Sequence, residues 1–175
     1  LVRACHEHAP AIAERLKADG CKVSTAADRT NDSGCWGIVY VAAGAPEAPV
    51  DALDIKDFLN RTDATMTGAA SAVRTALAAG SLRRIVLVGS LAARGRSDVT
   101  ISAMLGGGLT ALARSWALEF AAEKITANTV LTEGSQEVAE SVAEATTFLL
   151  SPRSGMISGQ VLRVSRDTDA GILPI

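Results

Sequence analysis

The chain is 175 residues long, enough for one domain with a sizeable core and too short for two comfortable ones. Apolar residues make up 48% of it and aromatics only 3%, so the core must be built from Ala, Val, Leu and Ile. A net charge of −2 gives no reason to expect nucleic acid or an anionic membrane as partner, and no apolar run approaches the roughly 20 residues that span a bilayer.

Cys5, Cys21 and Cys35 are odd in number and lack metal-ligand spacing, which reads as reduced thiols in a cytoplasmic protein. No signal peptide opens the chain. Leu1 stands where a start methionine would be, and the expectation is a mature fragment or one domain of a longer polypeptide.

Pro10 can sit in the first turn of a helix that runs through AIAERLKADG, with Gly20 as its C-cap. CKVSTAA reads as a strand, and WGIVYVAAG is a continuous apolar run of the fully buried kind. From Asp51 to Ala79 a long helical pattern places Ile55, Phe58, Leu59, Thr62, Met66, Val73 and Leu77 near one face. RRIVLVGS is the clearest strand and GLTALARSWALEFAAEK the clearest helix. KITANTVL predicts a strand, EVAESVAEATTFLL a helix and GQVLRVS a closing strand, before the irregular tail DTDAGILPI. Strands alternating with helices predict an open, doubly wound parallel sheet whose ligands sit at the strands' carboxyl ends, near the point where strand order reverses.

From about Arg83 onward the chain resembles the second half of a short-chain dehydrogenase/reductase. RRIVLVGSLAARG is similar to the family's fifth strand and its catalytic serine, and LTALARSWALEFAAEKITANTV to the long helix and sixth strand. EVAESVAEATTFLLSPRSGMISGQVLRVS carries the C-terminal helix, the Ser-Pro loop and the Gly-Gln strand at the family's spacing. In the first half AIAERLKADGCKV resembles the first helix and second strand, and TDATMTGAASAVRTAL the fourth helix. The resemblance implies a shortened Rossmann or flavodoxin-like α/β fold over residues 1–175.

It also implies a site, and most of that site is missing. The family uses a tyrosine as proton donor, a lysine that tunes the tyrosine and holds the ribose, an oxyanion-binding serine and a water-anchoring asparagine. The serine corresponds to Ser90. The tyrosine corresponds to Ser102 and the lysine to Gly106; aligned one residue earlier they become Ile101 and Leu105, and neither register restores them. The asparagine corresponds to Thr65. A serine hydroxyl cannot replace a lysine-tuned phenol, and glycine carries no charge. The sole tyrosine, Tyr40, lies in WGIVYVAAG and reads as a core residue, with a displaced acid as the alternative.

Cofactor binding fails separately. The stretch matching the glycine-rich phosphate turn is RACHEHAP, which has no glycine. His6, Glu7 and His8 offer no third ligand of tetrahedral geometry, so no metal is expected. Asp28 ends the second predicted strand where the family often places its ribose-binding acid, as a relic of that role or as a polar opening to the ADRTNDSG turn. Only that turn stands where the family has a further helix, strand and helix, and LTEGSQ replaces the substrate lid.

This pattern is similar to the N-terminal, flavodoxin-like domain of high-molecular-weight 3-oxoacyl-acyl-carrier-protein reductases, which precedes an active reductase domain. The resemblance implies a pseudoenzyme in fatty acid metabolism: a scaffold or oligomerisation domain without a cofactor of its own, its ancestral ligand being NAD(P). The partner is a second copy of the chain or the active reductase domain, met through helices 51–79 and 105–123, with Met66 and Trp116 as apolar anchors. The alternative is an NAD(P)-dependent oxidoreductase of a 3-oxoacyl thioester or similar carbonyl, with its missing groups supplied elsewhere.

Overall fold

The computed structural model describes residues 2–4, 9–24, 34–46 and 48–166, with side chains from residue 9 onward. Five parallel strands, β1 (Val2–Ala4), β2 (Gly37–Val41), β3 (Arg84–Ser90), β4 (Thr126–Thr132) and β5 (Val161–Val164), form one sheet in the order β1-β2-β3-β4-β5. Helices α1 (Ala9–Ala18), α2 (Ile55–Ala78), α3 (Thr100–Glu119) and α4 (Ala139–Leu150) connect them. None of the helices described is long and apolar enough to cross a membrane.

Both sheet faces are covered, and strand alternation sorts the core into two layers. Ile38, Ile85, Leu87 and Ala127 face α2 and α3, which answer with Ala69, Ala72, Ala76, Ala113 and Ala117. Small helix residues against large strand residues bring these helices close to the sheet. Val39, Val41, Val86, Val88 and Val130 face α1 and α4, met by Ile12, Leu16, Val142 and Leu149. Arg15 of α1 ties that layer together by pairing with Glu144 of α4 at 2.5 Å.

The described strands step one way across the sheet while their helices lie on opposite faces. The crossover through α4 therefore has the opposite hand to those through α2 and α3. The point of reversed strand order expected from the sequence is not found among the described strands.

Two elements and one residue differ from the sequence reading. CKVSTAA is not a strand as far as it is described: residues 21–24 carry no strand. Helix α3 begins at Thr100 rather than at Gly108, because burial of Ile101, Leu105 and Gly106 overrides the helix cost of three glycines. It ends at Glu119, where the chain turns through Lys124 at φ 58°. Trp116, expected as an interface anchor, is only 9% exposed and packs with Ala113 and Ala117 against the chain's own sheet. The other helices and strands from α1 onward overlap the segments that the pattern marked, while β1 runs into RACHEHAP, which was read as a turn. Gly20, at φ 77°, closes α1 in a Schellman motif, with Cys21 N–H donating to Leu16 O and Gly20 N–H to Lys17 O.

At the amino end of the sheet, Arg84 is 6% exposed. Its Nε donates to Ser151 O at 3.3 Å, its Nη1 to Arg83 O at 2.9 Å, and its guanidinium lies 5.5 Å from the centre of the Trp36 ring. Trp36 Nε1 donates to Leu150 O at 3.2 Å. Two side chains thus satisfy carbonyls that the end of α4 leaves open, and the negative helix end favours the cation. Burial, then repulsion from Arg83, lowers the pKa of Arg84 below the ordinary guanidinium value. It remains protonated at any physiological pH.

Candidate functional site

The carboxyl ends of β2, β3 and β4 enclose a cleft of about 140 Å³, with Ser90, Ser102, Leu105, Arg96, Thr132 and Glu133 among its lining. Ser90 is the last residue of β3 and pairs in register with Thr132 of β4. Its Oγ accepts the Ala92 N–H at 3.2 Å, capping the 3-10 turn Leu91–Arg94. Ser102 stands in the first turn of α3, half-buried. Glu133 accepts hydrogen bonds from Ser165 Oγ at 2.5 Å and Ser135 Oγ at 3.2 Å. The Ser165 hydroxyl is the main reason its carboxyl titrates below the usual range. The cleft is therefore lined by hydroxyls, a carboxylate and a guanidinium, and no phenol, imidazole or amine is among its described lining residues. Serine and threonine hydroxyls titrate far above neutrality and cannot take the place of a cation-tuned phenol as proton donor.

Gly106 is buried on the face of α3 turned to β3. A β-carbon placed on it would lie 2.6 Å from Ser90 O and 3.0 Å from the Ala93 β-carbon. Gly89, just before Ser90, has the Gly106 Cα at 3.3 Å from its own β-position. Helix and strand cross here backbone to backbone. A lysine does not fit at position 106 without moving one of them. Under the shifted alignment, Ile101 and Leu105 are each 3% exposed, so that reading offers no polar group either.

The other candidates do not join the cleft. Thr65 is 5% exposed within α2 and is not among the cleft's lining residues. Tyr40 is half-buried, donates its hydroxyl to Ala64 O at 3.4 Å and packs on Gly68, where a β-carbon would come within 2.7 Å of the phenol oxygen. It serves the contact between β2 and α2. Asp28, His6, Glu7 and His8 lie outside the described residues. Among the described residues no group of His, Cys, Asp and Glu is placed to hold a metal.

Asn128 was not singled out from the sequence. Fully buried in β4, it donates through Nδ2 to Ile157 O at 2.8 Å and accepts the Gln160 N–H on Oδ1 at 3.0 Å. Ser158 Oγ accepts the Ala127 N–H at 3.2 Å beside it. Together they clamp the Ser-Gly-Gln turn onto β4 and launch β5. An asparagine in the middle of a strand read as buried was the available signal, since a buried amide must find partners.

No protein-family model and no curated protein matches the chain. Solved structures do. An oxidoreductase of the short-chain dehydrogenase/reductase family from Burkholderia thailandensis superposes with a TM-score of 0.78 at 19% identity, over 97% of this chain and 92% of that one. A short-chain type dehydrogenase/reductase from Mycobacterium ulcerans gives 0.71 at 18% identity, over 88% and 65%. A further short chain dehydrogenase/reductase family protein gives 0.62 at 26% identity, over 73% and 65%. The chain thus spans 65% of the length of the latter two. With every described strand parallel and a helix pair on each face, the chain has the short-chain dehydrogenase/reductase fold in a shortened form.

Proposed function

We propose that this domain is a non-catalytic scaffold of short-chain-reductase type, which assembles with an active 3-oxoacyl reductase domain or with further copies of itself. The observation that carries the reading is the contact of Gly106 with the Ser90 carbonyl. If Gly106 occupies the place of the ribose-binding lysine, the Ser90 carbonyl 2.6 Å from its β-position leaves no room for that side chain, which supports the reading. The cleft formed by the described residues encloses about 140 Å³ and carries neither phenol nor amine among its described lining, in keeping with it. Ser102, half-buried in the cleft wall with no phenol or amine among the cleft's described lining, supports the same reading.

The link to a 3-oxoacyl reductase rests on the shared organisation: a shortened Rossmann unit without tyrosine and lysine. Assembly is supported by apolar side chains left on the outer faces of α2 and α3, where Ile55, Leu59 and Leu118 are 61%, 59% and 82% exposed. Calorimetric titration with NADH and NADPH tests the non-catalytic part. No heat of binding is expected for either cofactor, and dissociation constants in the low micromolar range would overturn it.

A further inference from the structure

Helix α3 is built from two unequal halves. Its second half, from Leu109 to Glu119, reads LTALARSWALE and is rich in strong helix formers. Leu109, Ala113, Trp116 and Ala117 there pack into the core against the sheet. The first half, from Thr100 to Gly108, ends in three consecutive glycines. Its N-cap is Val99, whose side chain can accept nothing, so the N-cap residue supplies no capping oxygen to the first turn. Asp98, just before, is held at φ 62°, in the left-handed region that non-glycine residues seldom occupy.

Two of the glycines have a packing reason. Gly106 sits on the Ser90 carbonyl, and Gly108 faces Met66, whose Cε would lie 3.0 Å from a β-carbon there. Gly107 has none: a β-carbon on it meets nothing within 4 Å. Alanine would fit and would strengthen the helix. The weak half is also the half that walls the cleft, since Ser102 and Leu105 belong to it and Arg96 and Val99 lead into it.

We propose that residues 100–108 open as a unit, hinged at the glycines, and that this motion rather than any movement of the sheet controls access to the cleft. Ile101 and Leu105, each 3% exposed, hold the segment closed. Opening exposes those two side chains and leaves the Leu109–Trp116 anchor in place. Such sub-global opening occurs where local stability is lowest.

Amide hydrogen exchange on the intact domain, read residue by residue by NMR, tests this. Amides from Met104 to Gly107 should exchange at least about tenfold faster than those from Ala113 to Ala117. Gly107→Ala should slow the first group about fivefold, the helix-propensity difference between glycine and alanine, and leave the second unchanged. Equal protection along α3 would overturn the proposal. So would a Gly107→Ala effect shared equally by both groups, or absent from the first.

Discussion

Ser90 and Gly106 meet through their backbones, with 2.6 Å between the Ser90 carbonyl oxygen and the place a Gly106 β-carbon would occupy. The carbonyl belongs to β3, which is held on both sides by β2 and β4, so it cannot retreat without disturbing the sheet. Gly106→Ala sets a helix-propensity gain of about 1 kcal/mol against overpacking of about 1–3 kcal/mol. Because the obstruction is strand backbone rather than a flexible side chain, overpacking wins. The expected outcome is a net loss of up to about 2 kcal/mol, read as a lower urea midpoint with an unchanged m-value. A variant as stable as the wild type would mean that α3 can lift away, and that a side chain at 106 is tolerated after all.

Ser90→Ala separates two roles of one hydroxyl. As the cap of the Leu91–Arg94 turn it should contribute about 0.5–1 kcal/mol of stability, lost in the variant. As an oxyanion donor it has neither phenol nor amine beside it, so any activity of a longer parent protein should stay nearly unchanged. A rate loss of about 10²-fold or more, the scale of removing an oxyanion-hole donor, would show that the cleft is catalytically live.

The scaffold was legible in the sequence wherever burial on both faces leaves a local trace. IVYV, RIVLVGS and TANTVL could only be buried parallel strands, and the Ser-Gly-Gln turn followed its helix in order. What failed was what depends on partners far away in the chain. CKVSTAA has the composition of a strand, but residues 21–24 carry no strand. The first half of α3 was missed because three glycines argue against helix locally, while Ile101 and Leu105 argue for it only once β3 is in place. At the site, identities could be read and consequences could not. Gly106 read as a missing lysine, and only the fold reveals a backbone contact in its place. Trp116 read as an exposed anchor because helical spacing cannot tell a core face from an interface.

The Trp36–Arg84 pair at the far end of the sheet makes a stability prediction independent of the cleft. Trp36→Phe keeps a ring near the guanidinium and removes the bond to Leu150 O, which should cost about 1 kcal/mol. Arg84→Ala removes a buried cation, its bond to Ser151 O and the packing of its stem, and should cost about 2–3 kcal/mol. The double variant should cost less than the sum, because the two side chains share a stacking contact and the same helix end. Strict additivity in denaturant titrations would argue that they act separately.

Assembly is where the proposed function is most exposed, and the positions that test it follow from the packing. Ala113 and Ala117, at 1% and 9% exposure, are inside the core beside Trp116, and a β-carbon on Gly159 would lie 3.5 Å from that of Ala117. Ala117→Glu should therefore unfold the domain rather than split an assembly, since it buries a charge that has no partner. Leu118, one residue on and 82% exposed, faces outward. Leu118→Glu should leave the circular dichroism spectrum and thermal midpoint nearly unchanged, because the side chain makes little contact within the chain. If the outer face of α3 is an interface, the same variant should shift light scattering from an oligomer to a monomer, because it would bury a carboxylate there without a partner. An oligomer unmoved by Leu118→Glu would relocate the interface. A wild type monomeric at high micromolar concentration, with no reductase domain in its parent chain, would leave the scaffold reading without support.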